Sequence, residues 1–174
     1  MDDSILLALA NQLGKILKQR GLKLALAESC TGGMASQYIT AIAGSSAWLD
    51  RAFITYSNQA KVEMLHVSEQ TLANFGAVSE QTAHEMALGT LSNSGADISA
   101  SITGIAGPNG GTEDKPVGTV CFGFALKNKL LIDQTNPQVS THTKRFSGSR
   151  DAIRKQSVTY TLETLITLTL SIDL

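Results

Sequence analysis

The apolar residues along the chain alternate between helical spacing and short continuous runs. Over residues 5–17 they recur every three or four positions, which predicts an amphipathic first helix. Residues 22–27 form a short, almost continuously apolar run, which is typical of a buried strand. A second helix is expected to end at about Ile42, and a second strand is expected over 51–56.

The rest of the chain continues this alternation and then changes character. Helical segments near 58–65, 68–74 and 79–93 precede a strand at 98–103, and a last helix is expected over 151–170. Between them, 118–126 and 130–134 are predicted as a hairpin, with an edge strand at 139–146. Helices alternating with strands and followed by a hairpin indicate an α/β or α+β fold, with a mixed sheet flanked by helices. We expect one domain over residues 1–174.

Composition and charge narrow the classes of partner. Fourteen basic and fifteen acidic residues give a net charge of −1, which excludes a strongly basic nucleic-acid binder. Aromatic residues make up 5% of the chain, and this low content argues against a base-stacking surface. A small anionic ligand held in one local pocket remains compatible with this composition.

Three features favour a cytoplasmic protein that does not enter a membrane. No run of about 18 apolar residues is present, and the N-terminal residues Asp2 and Asp3 are acidic where a signal peptide is basic. The two cysteines, Cys30 and Cys121, do not form a disulfide framework. We therefore expect a reducing compartment.

One segment with catalytic potential lies where the first strand meets the second helix, in the sequence AESCTGG of residues 27–33. A strand end holds a nucleophilic hydroxyl rigidly, and the following helix N-terminus offers N–H groups to an oxyanion or a phosphate. The more common explanation of the pattern is that Ser29 or Thr31 caps the helix while Gly32 and Gly33 make the turn.

A second candidate is the glycine-rich segment 103–111, which leaves the end of a predicted strand. Open α/β sheets bind ligands at such ends. The segment does not match the dinucleotide-binding pattern. It does not match the P-loop pattern either, because no lysine stands where a P-loop requires one. On pattern alone, a binding loop and a plain surface loop explain it equally well.

A serine nucleophile needs a base, and the chain offers two kinds. The three histidines, His66, His84 and His142, show no pattern that favours a Ser-His-Asp triad. Tyr56 closes the second strand and Lys61 follows in the next helix, so both side chains are expected to reach one cleft. A lysine desolvated there has a lowered pKa and acts as a neutral base, whereas a solvated helix face is the ordinary role of a lone lysine.

Two other chemistries receive less support from the sequence. There is no metal-ligand motif, and the acidic pair at 113–114 lies in a Gly/Pro loop where it is expected to be solvated. Cys30 is a rival nucleophile to Ser29, but adjacent residues on an extended chain point opposite ways, so only one of them is expected to face the cleft.

Several motifs occurring in one order over about residues 5–170 resemble the CinA C-terminal family. They are AESCTGG (27–33), TYSNxxK (55–61), GAVS (76–79), GIAGPxGG (104–111) and KPVGTV (115–120). The resemblance implies a nicotinamide-nucleotide amidohydrolase, which converts nicotinamide mononucleotide to nicotinate mononucleotide and ammonia without a cofactor or metal. The N-terminal domain of longer CinA proteins is not expected here.

The resemblance also implies roles for individual residues. Ser29 is implied as the nucleophile, and Lys61 with Tyr56 as the base that later protonates the leaving ammonia. Backbone N–H groups around 30–33, or at Gly104, would hold the oxyanion, and the phosphate would lie against 31–33 or 104–111. The predicted substrate-binding residues are Glu28, Cys30, Thr31, Gly32, Gly33, Thr103, Gly104 and Arg150, with Arg51 as a further phosphate candidate.

Two positions depart from the family pattern. The family commonly has a serine where Thr103 stands, and Ser149 stands where an acidic residue is expected. These departures keep two alternatives open, namely a nucleotide-binding or accessory module without turnover, and an amidohydrolase that acts on another amide. A homodimer is implied by the family resemblance.

Overall fold

The structure is a computed structural model that describes residues 3–127 and 137–172. Its six helices are α1 (Asp3–Arg20), α2 (Met34–Thr40), α3 (Asn58–Leu65), α4 (Glu69–Phe75), α5 (Glu80–Ser92) and α6 (Arg150–Ser171). Its five strands are β1 (Leu24–Glu28), β2 (Leu49–Ile54), β3 (Ile98–Gly104), β4 (Thr119–Leu126) and β5 (Gln138–Arg145).

The five strands form one mixed sheet in the order β2-β1-β3-β4-β5. Strands β2, β1 and β3 are parallel, whereas β4 and β5 are antiparallel additions. The predicted α/β class with a mixed, helix-flanked sheet is therefore confirmed. The edge strand expected at 139–146 is β5, and the expected strand at 130–134 lies outside the described residues.

The helices cover both faces of the sheet. Helix α1 packs on α6 and α2, and α6 also contacts β3 and β4, whereas α5 packs on β1, β3, β4 and β5 from the other face with α3 and α4 beside it. Because both faces are covered, β1 and β4 are buried along their whole length. This explains why the β1 segment is a continuous apolar run rather than an alternating one.

This topology creates a crevice at one edge of the sheet. The chain leaves β1 toward α2 on one face, whereas it reaches β3 from α5 on the opposite face. Neighbouring parallel strands whose connections leave to opposite faces form the point where open α/β sheets bind ligands. The predicted catalytic segment 27–33 and the start of the glycine-rich segment at Thr103 and Gly104 both lie at this edge.

The described helices show no membrane-spanning character. None of those in residues 3–127 and 137–172 combines the length and hydropathy needed to cross a bilayer.

Candidate active site

A cavity of about 240 Å³ lies at the carboxyl edge of the parallel strands. It is smaller than the roughly 300–1,000 Å³ typical of pockets that enclose a drug-sized ligand, so it suits one end of a nucleotide-sized molecule. Its lining residues are Ser29, Cys30, Tyr56, Asn58, Lys61, Ala77, Val78, Thr103, Gly104, Ala106 and Arg150.

Ser29 stands directly after β1, and its side chain lines the cavity. Its backbone N–H donates a 2.9 Å hydrogen bond to the carbonyl oxygen of Ile102 on β3. The residue is therefore tied to the sheet although it lies beyond the strand, which is the rigid placement that a nucleophile requires.

Lys61 is the partner of Ser29. It lies in α3, whose start is capped by the Ser57 hydroxyl, and its side chain is 1% exposed. Its Nζ atom is 3.1 Å from Ser29 Oγ and donates a 2.9 Å hydrogen bond to the carbonyl oxygen of Thr55. Burial lowers the pKa of Lys61 from its ordinary value of 10.5. A neutral amine held in this way can donate to Thr55 while accepting the Ser29 proton.

Cys30 does not compete with Ser29 as a thiolate. Burial raises the pKa of its thiol to about 12, so the nucleophilic form is scarce near neutral pH. Both residues line the cavity, and Cys30 also belongs to a buried hydrophobic core cluster with Met34 and Ala35, so the expectation that one of the two side chains faces the cleft stays a prediction. Strand β1 ends at Glu28, so the alternation of an extended chain no longer applies to them.

Glu28 does not line the cavity. Its fully buried carboxylate accepts hydrogen bonds from the backbone N–H groups of Gly33, Ala35 and Ser36 and from the Ser36 hydroxyl. A carboxylate here satisfies the free N–H groups of α2 and offsets the helix dipole. The N–H groups of Gly33, Ala35 and Ser36 are therefore used within the protein.

Thr31, Gly32 and Gly33 are also outside the cavity lining. Thr31 is fully buried, and its hydroxyl has no hydrogen-bond partner among the described residues, so it does not cap the helix. Gly32 and Gly33 have φ of 55° and 94°, which explains glycine at both positions. These three residues shape the turn after Ser29.

Tyr56 and Arg150 form the rim of the cavity. Tyr56 is 61% exposed, and its hydroxyl accepts a 3.0 Å hydrogen bond from Arg150 Nη2. Arg150 Nη1 also donates a 2.7 Å bond to the carbonyl oxygen of Gly107. The described contacts of the Tyr56 hydroxyl include neither Ser29 nor Lys61. Arg150 thus places a guanidinium group at the cavity mouth.

Thr103 and Gly104 close the cavity from the end of β3. The Thr103 hydroxyl donates a 2.7 Å hydrogen bond to the carbonyl oxygen of Ala77, so its oxygen holds the neighbouring segment in place. A Cβ atom at Gly104 would lie 2.7 Å from Val120 Cγ2, which makes a side chain there incompatible with β4. The threonine that departs from the family pattern therefore still uses its hydroxyl.

The cavity lining also contains residues that were not among the candidates. Four such residues line the cavity, namely Asn58, Ala77, Val78 and Ala106. They lie in the motif segments 55–61, 76–79 and 104–111, so these motifs are the sequence signal that could have indicated them. Arg51 does not line the cavity, since its guanidinium binds the Asp50 carboxylate and the Asn93 carbonyl oxygen instead. Ser149, the other departure, caps the start of α6 through its hydroxyl and Ala152 N–H.

Other places in the described molecule lack this pairing. A larger cavity of about 520 Å³ is lined by Glu80, Lys115, Cys121 and Arg145 among others, but by neither Ser29 nor Lys61. Across residues 3–127 and 137–172, no three His, Cys, Asp or Glu side chains are grouped so that they could hold a metal ion. Reacting groups at hydrogen-bond distance therefore identify the smaller cavity as the candidate active site.

Fold and site together define an α/β protein with a buried serine–lysine pair at the carboxyl edge of its sheet. The family model for the CinA C-terminal domain matches residues 6–169, and the chain belongs to this family. It is 52% identical over 165 residues to the nicotinamide-nucleotide amidohydrolase PncC of Escherichia coli K12, which covers 95% of each chain. It is 51% identical to the protein of the same name from Enterobacter agglomerans, over 95% of this chain and 96% of that protein.

A solved structure agrees with the fold. The competence/damage inducible protein CihA from Agrobacterium tumefaciens superposes with a TM-score of 0.88 and 43% sequence identity, covering 97% of this chain and 96% of that one.

Proposed function

We propose that this chain hydrolyses the carboxamide of nicotinamide mononucleotide to nicotinate mononucleotide and ammonia, with Ser29 as nucleophile and Lys61 as base. The observation that carries the proposal is the 3.1 Å distance between Lys61 Nζ and Ser29 Oγ in a buried site. The amidohydrolase class and the substrate rest on PncC relatives at 51–52% identity over nearly the whole chain.

The first half of the reaction forms an acyl-enzyme. Ser29 Oγ attacks the amide carbon while its proton moves to the neutral Lys61 amine, and the carbonyl electrons move onto oxygen. The Lys61 ammonium then gives that proton to the departing nitrogen as the carbon–nitrogen bond breaks, which releases ammonia. A lowered pKa suits both transfers, because it makes the neutral amine more available as a proton acceptor and the ammonium a better proton donor.

The second half returns the enzyme to its starting state. Water attacks the ester carbon and gives a proton to Lys61, which passes it to Ser29 Oγ as the ester bond breaks. The products are free Ser29 and the carboxylic acid, which then loses its proton to solvent and becomes the carboxylate. All proton transfers therefore use one lysine amine, which Thr55 holds next to the serine.

The cavity size suggests which part of the nucleotide lies inside the cavity and which part lies at its mouth. About 240 Å³ suits the amide-bearing ring, and the ribose phosphate then lies toward the mouth, where Arg150 supplies positive charge. A guanidinium held on the rim by its hydrogen bonds to Gly107 and Tyr56 favours an anionic group. Homodimeric assembly, which light scattering would test, and a cytoplasmic location stay predictions.

The deciding experiment is ammonia release from nicotinamide mononucleotide by the wild type and by Ser29→Ala and Cys30→Ala. We expect Ser29→Ala to lose at least about 10³-fold in kcat, and Cys30→Ala to stay within a few-fold of wild type. If Ser29→Ala turned over as fast as the wild type, the assignment of Ser29 as the nucleophile would be refuted.

Two results would favour the alternatives. Binding of the nucleotide by calorimetry without ammonia indicates a module that binds but does not turn over. Faster release from nicotinamide riboside or another amide than from the mononucleotide indicates a different substrate, since a phosphate site at Arg150 would then be unused.

A further inference from the structure

Arg154 is absent from the cavity lining but contacts the loop that carries Ser29. Its Nη2 atom, on α6, donates a 2.6 Å hydrogen bond to the carbonyl oxygen of Thr31. Its Nε atom is buried without a partner, and no carboxylate in the described part of the chain forms an ion pair with it. The positive charge of Arg154 is also felt at Cys30, where it opposes the burial that raises the thiol pKa.

A chain of hydrogen bonds leads from this guanidinium back to the residue after the nucleophile. The Thr31 carbonyl belongs to the same peptide group as the Gly32 N–H, which donates a 3.0 Å hydrogen bond to the Ser29 carbonyl oxygen. The Ser29 carbonyl in turn belongs to the same peptide group as the Cys30 N–H. Because each hydrogen bond polarises the next peptide group, a cation at the start strengthens the N–H donor at the end.

Most amides around the nucleophile are already used within the protein. Ser29 N–H binds the Ile102 carbonyl oxygen, Gly32 N–H binds Ser29, and Met34 N–H binds Thr31. The Gly33 and Ala35 amides bind the Glu28 carboxylate. The amides of Cys30 and Thr31 take part in none of these bonds; the Cys30 N–H approaches the sulfur of its own side chain, and Cys30 lines the cavity.

We infer that Arg154 is a positioning residue for the acyl-transfer reaction, acting through Thr31 and Gly32 to polarise the Cys30 N–H that receives the oxyanion. The inference rests on the proposed function. When Ser29 Oγ bonds to the amide carbon, the carbonyl electrons move onto oxygen, and this negative charge needs a preorganised donor. Arg154 contributes more in the transition state than to the bound substrate, because the charge exists only there.

The test compares Arg154→Met with Arg154→Lys and with Lys155→Met, using ammonia release from nicotinamide mononucleotide. Lys155→Met removes a charge from the next position of α6, where Lys155 binds Asp3 and Asp151 instead of the loop. Losing a whole oxyanion donor costs about 10²- to 10³-fold in kcat, so losing its polarisation should cost about 10-fold. We expect that loss in Arg154→Met with KM within about twofold, a smaller loss in Arg154→Lys, and unchanged kcat in Lys155→Met.

A second measurement separates this inference from the proposed function. The amide proton resonance of Cys30, observed by NMR without substrate, should move upfield in Arg154→Met and stay in place in Lys155→Met. An unmoved Cys30 resonance, or wild-type kcat in Arg154→Met, would overturn the inference. If the wild type releases no ammonia, the proposed function fails, and the NMR shift alone decides whether Arg154 polarises the amide.

Discussion

The bottom and the rim of the cavity differ in exposure, because polar groups are buried at the bottom and exposed to solvent at the rim. At the bottom of the cavity, Lys61 is 1% exposed and its amine lies 3.1 Å from Ser29 Oγ. At the rim, Tyr56 is 61% exposed, and its hydroxyl is bound by Arg150. Burial lowers the pKa of Lys61, which suits its proposed role as a base, whereas the exposed rim suits its proposed role of holding charge.

This difference separates two kinds of contribution to turnover. In the proposed reaction, groups at the bottom of the cavity act on the reacting atoms, so their loss should lower kcat. Groups at the rim act on the part of the substrate that does not react, so their loss should raise KM with little effect on kcat. The following variants test this division.

Lys61→Met should give the largest loss among these variants. It removes the base while keeping an apolar side chain of similar length, and we expect kcat to fall by about 10²- to 10⁴-fold. Ammonia release at pH 6 to 9 measures this, and the wild-type rate should rise with pH as Lys61 loses its proton. A Lys61→Met rate near that of wild type, or a wild-type rate that falls as the pH rises, would contradict the proposed role of Lys61.

The same variant makes a separate prediction about stability. Because burial lowers the pKa of Lys61 in the folded protein, the unfolded chain binds more protons between that pKa and 10.5. The unfolding free energy of wild type relative to Lys61→Met should therefore be constant at lower pH and rise with pH through this interval. Urea denaturation over a pH series measures the difference, and a fall with increasing pH would contradict it.

Arg150→Met tests the rim. Loss of a charge-assisted hydrogen bond of about 1.5–3 kcal/mol should raise KM for nicotinamide mononucleotide by about 10- to 100-fold, with kcat within a few-fold. Arg51→Met is the matched control, because Arg51 binds Asp50 and Asn93 away from the cavity. Steady-state kinetics that show a kcat loss without a KM change would place Arg150 in the chemical step instead.

Tyr56→Phe decides between two candidate bases. Its hydroxyl binds Arg150 rather than Ser29 or Lys61, so we expect only a few-fold change, mainly in KM. A kcat loss of about 10²-fold or more would make Tyr56 a participant in proton transfer. Single-turnover measurements would then identify the affected step.

Thr31→Val should have the smallest effect. The Thr31 hydroxyl is buried without a partner among the described residues, so replacing it with a methyl group removes a desolvated polar atom and keeps the shape. We expect the unfolding free energy to stay equal or rise by up to about 1 kcal/mol, with kcat unchanged. Thermal denaturation that shows clear destabilisation would reveal a hydrogen bond of this hydroxyl.

Much of the fold was predictable because it depends on local patterns. The continuous apolar run of β1 predicted a strand buried on both faces, and Ser57, Ser68 and Ser79 cap helices through local hydrogen bonds. The bounds differ by a few residues, as in α1, which begins at Asp3 and continues to Arg20. Helix termini depend on the last few hydrogen bonds, which periodicity does not specify.

The sequence by itself determined which residue types can react and roughly where they stand. Ser29 follows the strand β1 and Lys61 lies in the helix α3, so both could be selected as candidates before any contact was known. The tertiary structure decided which groups meet. It buried Lys61 against Ser29, directed the Glu28 carboxylate to α2, and brought Arg154 to Thr31 from 123 residues away. Such pairings depend on how distant elements pack, and burial and partner charge then decide the role of each group.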